Sequence, residues 1–325
     1  MLLQMGDVAQ WSTRQSAEVT NQMISVERLY QYSQLPSEAP LDTPADSLLG
    51  DTPSSWPSQG AIQVKNLCVR YRPSLPLSLL NINFDIKPRS HVAIVGRTGS
   101  GKSTLVQSFL RLLEAEDGKI LIDGADVSTL GLHRLRHSIT VINQVPTLYG
   151  CVTVRDNLDP LGERSEEEIR QALMDVQMIQ TIDQMNGGLD AMVSEGGGNF
   201  SVGQRALLGL ARAILRKSKI VILDEPTANV DRETEFFIQE AIRKRFHDAT
   251  MITVAHRLNT IIECDHVLVL GNGRLIEWGT PSQLLEVTGA FASLVDETGA
   301  EMALQLRAKA RNKDRFCRHS AASSE

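Results

Sequence analysis

The chain has 325 residues, a net charge of −6, 42% apolar side chains and 5% aromatic ones. That length suits one large α/β domain with appendages or two modest domains, with enough apolar content for a proper core. The acidic balance and scarcity of aromatics argue against a nucleic-acid partner, which needs a basic face or rings on which bases stack.

Cys68, Cys151, Cys264 and Cys317 lie far apart with no CxxC pair, and read as reduced thiols. None of the seven histidines has metal-ligand spacing to a ligand cluster. No signal pattern and no run of about 18 apolar residues is present, so the chain as written is not expected to cross a membrane.

Residues 1–35 place Val19, Met23, Val26 and Tyr30 on one helical face, predicting an amphipathic helix that stops at Pro36. Residues 36–60 scatter Pro36, Pro40, Pro44, Pro53 and Pro57 among Ser, Asp and Thr and read as a linker with little to bury. The compact domain, residues 61–298, opens with strand-like alternation from Ile62 and Val64 through Leu67 to Tyr71. It turns at Pro73 and Pro76 and alternates again at Leu80, Ile82, Phe84 and Ile86, the pattern of an antiparallel sheet with one wet face. Residues 92–95 are apolar without alternation, as in a parallel strand covered on both faces.

A helix is then expected through Leu113, a strand over 119–122 ending in Asp123-Gly124, and a short strand over 140–142 ending at Asn143-Gln144. Ser165 with Glu168 forms a capping box ahead of Ile169, Leu173 and Val176, and the stretch from Arg155 to Gln184 reads as mainly helical. Glycines crowd between Gly187 and Gly198, and a helix from Ser201 to Arg216 follows, with Leu207, Leu208, Ala211, Ile214 and Leu215 on its buried side. Strand-like runs over 220–223, 251–254 and 267–270 alternate with helical stretches, the signature of a parallel sheet built from βαβ units. Gly271-Asn272-Gly273 closes a last hairpin, and residues 299–325 form a basic polar tail, expected to be solvated.

Chemistry concentrates after the 92–95 strand. Gly96-Arg97-Thr98-Gly99-Ser100-Gly101-Lys102-Ser103 fits G-x-x-x-x-G-K-[ST], with Thr104 following. In such a loop glycine lets successive backbone N–H groups curl around a phosphate. Lys102 would hold the β- and γ-phosphates as a point charge and Ser103 would give its hydroxyl to Mg²⁺, while the helix start aims its positive end at the nucleotide. The 220–223 strand delivers Asp224 and Glu225 at its C-terminal end, where ligands bind in open α/β sheets. Asp224 would support the Mg²⁺ shell through water, and Glu225 would face the attacking water as general base or orienting group. Gln144 either touches Mg²⁺ and that water or is an ordinary loop amide. His256 follows a strand, where a lone histidine is more often structural. Tyr71 either stacks on adenine or is a strand aromatic, and spacing leaves both open.

The run Phe200-Ser201-Val202-Gly203-Gln204-Arg205, placed between the glycine loop and Asp224-Glu225, resembles the signature motif of ATP-binding-cassette proteins. In chain order Tyr71, the glycine loop, Gln144, this run, Asp224-Glu225, Ala228-Asn229-Val230-Asp231 and His256 are similar to that family's A-loop, Walker A, Q-loop, signature, Walker B, D-loop and H-loop. The resemblance covers roughly residues 60–290. Tyr71-Arg72-Pro73 with Leu75-Pro76-Leu77, Asn157-Leu158-Asp159-Pro160 and valine in the signature resemble the second nucleotide-binding domain of the C subfamily, the multidrug-resistance-associated transporters. Residues 14–40 are similar to the cytosolic end of the last transmembrane helix and linker there.

The resemblance implies an α/β fold of the P-loop NTPase class, ABC ATPase type. Its mostly parallel core sheet is joined by an antiparallel β subdomain and a helical subdomain carrying the signature. It also implies ATP and Mg²⁺ bound at Tyr71 and Gly96–Thr104, with Ser103, Gln144 and Asp224 on the metal and Glu225, His256 and Gln144 in hydrolysis. Two such domains would pack head to tail, with Ser201, Val202, Gly203 and Gln204 of one facing ATP on the other; within its own chain Ser201 is equally an N-cap. The implied partners are a second nucleotide-binding domain, from the same polypeptide or a homodimer, and transmembrane domains, with the module on the cytosolic side. The membrane domains are absent from these residues, a departure that argues against autonomous transport, and the chain is expected to be soluble and cytosolic if expressed alone. Gly198, Ala206 and Asn143 stand where the family usually has glutamate, glutamine and proline, and none of these departures removes a phosphate, metal or base residue. A soluble non-transport cassette ATPase and a weakly hydrolysing regulatory domain are the alternatives.

Overall fold

The computed structural model describes residues 2–50, 56–144, 147–224, 232–255 and 257–322. Contacts divide the chain into two units, Met1–Pro40 and Leu41–Glu325. The first is a single helix, α1 (Leu2–Ser33), on which Val19, Met23, Val26 and Tyr30 are all exposed. Among the described residues no helix is long and apolar enough to cross a membrane.

In the second unit the chain runs β1 (Ile62–Val69), β2 (Leu79–Ile86), β3 (His91–Val95), α2 (Lys102–Phe109), β4 (Ala115–Ile122), β5 (Ala125–Asp126), α3 (Leu132–Ser138) and β6 (Ile139–Ile142). It continues through α4 (Val154–Leu158), α5 (Glu166–Asp175), α6 (Ile179–Asp183), α7 (Val202–Arg216), β7 (Ile220–Asp224), α8 (Arg232–Arg245), β8 (Thr250–Val254) and α9 (Leu258–Ile262). The last elements are β9 (His266–Gly271), β10 (Arg274–Gly279), α10 (Pro281–Glu286), α11 (Ala290–Asp296) and α12 (Ala300–Ala322).

The strands make an antiparallel sheet of order β2-β1-β4-β5 and a six-stranded sheet of order β10-β9-β3-β8-β7-β6. All neighbours in the larger sheet are parallel except β9 and β10. Its strands lack alternation because both faces are covered. Val92, Ile94, Ile222, Ile252, Leu268 and Leu270 pack with the antiparallel sheet and with Leu105 and Phe109 of α2. On the other face Ala93, Val95, Val267 and Val269 meet α9 to α12, and Val221 and Leu223 meet the helical layer of α4 to α8. β3 lies between β8 and β9, so the strand leading into the glycine loop is hydrogen-bonded on both edges.

Four expectations differ from what is observed. Strict alternation put Leu80 inside, but Asn81 takes φ 49° and the β1–β2 register shifts, so Leu79 is buried and Leu80 half-buried. This is the local break expected of a bulge. The helix after the glycine loop stops at Phe109 rather than Leu113. Arg111 turns left-handed there, at φ 49°, and its guanidinium donates to the carbonyls of Val127 and Leu130.

The 36–60 stretch is no free linker from Leu41 onward. Asp46 accepts from Gly131 N, Leu41 O accepts from His133 N, and Trp56 is buried with Nε1 donating to Ile122 O. The basic tail is the helix α12, which buries Ala303, Leu306 and Ala310 and sets Lys309 against Glu263 and Lys313 against Asp265. These apolar residues fall at helical spacing, and the charges between them find acids on the domain.

Candidate functional site

The glycine loop is shaped by close approaches that leave no room for side chains. Gly96 has φ 157°, and a Cβ there would come 2.3 Å from Leu270 O and 2.5 Å from Ser100 Oγ. Gly101 has φ 105°, and its Cβ would come 2.7 Å from Leu79 Cδ2. Gly101 is also the N-cap of α2 and supplies no side-chain cap bond, so the first-turn N–H groups of α2 are left to a ligand. The loop curls over Lys102, which is buried and donates from Nζ to Gly96 O at 2.7 Å and Arg97 O at 3.1 Å. The Arg97 side chain turns outward to Glu297.

Beside the loop lies a cleft of about 620 Å³ lined by Tyr71, Thr98, Gly99, Gly101, Lys102, Ser103, Thr104, Gln144 and Asp224. Tyr71 lies beyond the end of β1 rather than on it, and its hydroxyl is 3.1 Å from Thr104 Oγ1; the strand-aromatic reading therefore gives way to a ring on the cleft wall. Asp224 ends β7 and Gln144 follows β6. Thus β3, β6 and β7 deliver their functional residues to one edge of the sheet, the C-terminal one.

The residues present fit phosphate and Mg²⁺. Ser100 Oγ is buried in the loop without a hydrogen-bond partner. The Ser103 hydroxyl and Asp224 carboxylate line the same cleft, and among the described residues neither has a side-chain hydrogen-bond partner. One carboxylate and one hydroxyl are hard oxygen donors of the kind Mg²⁺ takes alongside phosphate and water. No cluster of three His, Cys, Asp or Glu side chains that could hold a metal ion occurs among the described residues.

The signature residues are held elsewhere. Ser201 caps α7, its Oγ accepting from Gln204 N at 3.1 Å while Gln204 Oε1 accepts from Ser201 N at 2.9 Å. Val202 is exposed and Gly203 half-buried, and none of Ser201 to Gln204 lines the cleft. Glu225, the 228–231 segment and His256 lie outside the described residues.

Sequence reasoning missed the far wall. Leu77, Ser78, Asn272 and Gly273 also line the cleft; Gly273 N donates to Ser100 O at 3.1 Å and Gly273 O accepts from Leu80 N at 2.8 Å. The Gly271-Asn272-Gly273 turn was legible as a hairpin. Its contact with the loop was not, because the two are brought together only by strand order.

A parallel strand, a glycine loop closed over lysine and a strand-end aspartate in one cleft define a P-loop nucleoside-triphosphate-binding domain. The family described as ABC transporter matches residues 79–228. The chain is 45% identical over 291 residues to ATP-binding cassette sub-family C member 2 of Homo sapiens, covering 90% of this chain and 18% of that protein. It is 46% identical over 299 residues to metal resistance protein YCF1 of Saccharomyces cerevisiae, covering 91% of this chain and 19% of the relative. Among solved structures it is similar to a bacterial Atm1-family ABC exporter with ATP bound, with TM-score 0.74 and 26% identity over 87% of this chain and 48% of that one. The chain belongs to the ATP-binding-cassette family as a C-subfamily nucleotide-binding domain, an ABC ATPase fold. It spans under a fifth of the length of these two curated relatives.

Proposed function

We propose that this chain is the ATP-hydrolysing module of a C-subfamily exporter, working on the cytosolic side of a membrane in a head-to-tail pair with a second nucleotide-binding domain. One observation carries the reading: Lys102, Ser103, Asp224, Gln144 and Tyr71 converge on a single cleft. Tyr71 stacks on the adenine, the N–H groups of the glycine loop and of α2 orient the phosphates, and Lys102 moves from the loop carbonyls onto the β- and γ-oxygens. Ser103 and Asp224, with Gln144, would hold Mg²⁺, which would supply positive charge against that developing on the phosphate oxygens. Glu225 accepts a proton from the attacking water and His256 contacts the γ-phosphate. Ser201 and Gly203 of the partner domain close the cleft from outside, and Gln144 passes closure on to the transmembrane domains.

The test pairs two variants of the full chain. Glu225→Gln should keep ATP binding while turnover falls by orders of magnitude and a closed dimer accumulates; Lys102→Ala should weaken nucleotide binding itself. Unchanged turnover in the first or unchanged affinity in the second refutes the corresponding role.

A further inference from the structure

On the face of the large sheet away from the glycine loop's helix, α12 closes over a second cavity of about 310 Å³. Its floor is apolar, made by Ile242, Met251 and Ile262, each under a tenth exposed. Its rim carries three cations, Arg243 from α8 and Lys309 and Lys313 from α12, and the one carboxylate of Glu263.

These charges are only partly neutralised. Arg243 and Lys309 share the one carboxylate of Glu263, at 3.1 and 2.7 Å. Lys313 donates to the backbone oxygen of Glu263 and pairs with Asp265 at 3.0 Å, and Asp265 also accepts the backbone N–H of His91 at 2.9 Å. Three cations thus face two carboxylates, one of them shared with a backbone donor. The remaining polar lining is unspent. Among the described residues neither the Gln239 amide nor the Thr260 hydroxyl has a side-chain hydrogen-bond partner, and both face the cavity. At its back His91 bonds through Nε2 to Thr253 Oγ1 at 2.7 Å and is held neutral, burial lowering its pKa to about 4. It therefore adds no charge at neutral pH.

A volume at the small end of the range for ligand sites, an apolar floor and a few convergent polar groups are the features of a small-molecule site. We propose that this cavity binds a small organic monoanion, a carboxylate on a compact apolar body, with the carboxylate bridging Arg243 and Lys309 and the body resting on Ile242, Met251 and Ile262. The proposal needs nothing of the nucleotide reading, since the two cavities share no lining residue.

Benzoate is the probe, titrated calorimetrically into the full chain at fixed ionic strength, with benzyl alcohol as its uncharged counterpart. Saturable one-site binding of benzoate alone is expected, unchanged by saturating Mg-ATP. Arg243→Gln/Lys309→Gln should weaken it at least about tenfold, the effect of losing hydrogen bonds to a charged group. Gln239→Trp, which fills the cavity and keeps every charge, should abolish it. The proposal is overturned if benzoate does not saturate, if benzyl alcohol binds equally well, if ATP displaces benzoate, or if either variant binds it like the parent chain.

Discussion

Ser201 carries two roles that one pair of substitutions separates. Its Oγ accepts from Gln204 N at 3.1 Å and its own N–H is taken up by Gln204 Oε1 at 2.9 Å, so it holds the first turn of the fifteen-residue helix α7. Ser201→Ala removes the acceptor, and losing such a cap costs about 1 kcal/mol. For a domain of this size that lowers the melting temperature by roughly 2–4 °C. Ser201→Asp keeps a capping oxygen and adds a negative charge where the helix dipole favours one, so the melt should match the parent chain or exceed it. In the proposed pair the same oxygen faces the partner's γ-phosphate, and there a carboxylate repels. The aspartate variant should be fully stable yet lose ATP-dependent dimerisation and turnover, read by gel filtration with ATP and by phosphate release. A Ser201→Asp protein that turns over normally would refute the trans contact; an unchanged melt in Ser201→Ala would refute the capping argument.

Other outcomes follow from the same geometry. Gly101→Ala forces a side chain into φ 105° against Leu79 Cδ2; it should cost about 1–3 kcal/mol and weaken ATP binding, read by melting and nucleotide titration. Leu306→Ala empties a site 2% exposed beneath α12 and should cost about 2–5 kcal/mol in urea unfolding. A loss near zero would mean that α12 is not docked. His91 has its pKa lowered from 6.5 to about 4, burial, helped by Lys313, outweighing Asp265 and Glu263, so between those values the unfolded chain binds more protons than the folded one. Its contribution is therefore full above pH 6.5 and is lost as pH falls towards 4. Urea midpoints over that window should fall with pH, less steeply in His91→Gln.

Much of the fold could be read because its signals are local. The glycine loop, the strand that ends at Asp224, the Ser165 and Ser201 caps and the βαβ alternation each depend on residues within a few positions of one another. What escaped detection depends on distant contacts. Trp56 and Asp46 look like linker residues until Ile122 and Gly131 are brought against them. Ala303, Leu306 and Ala310 are too sparse among charges to announce a buried face without the acids at Glu263 and Asp265. Leu79 and Leu80 exchange places because Asn81 adopts a left-handed conformation that alternation cannot register. The cleft wall at Ser78 and Gly273 follows from strand order, which no window of sequence contains.

The position of β3 also sets when this cleft can first bind a nucleotide. Its neighbours in the sheet are β8 and β9, paired from His91↔Met251 and Val92↔His266, and the turn touching its loop is at Gly273. A nascent chain carries every residue of the glycine loop before either neighbouring strand, so it lacks both edges of the strand that holds the loop until most of this domain has left the ribosome. Such distant pairings are slow to form. Ribosome-bound chains halted before Thr250 should therefore fail to retain labelled ATP at this cleft, and retention should appear once Gly273 has emerged: nucleotide capture here becomes a timer for completion of the sheet.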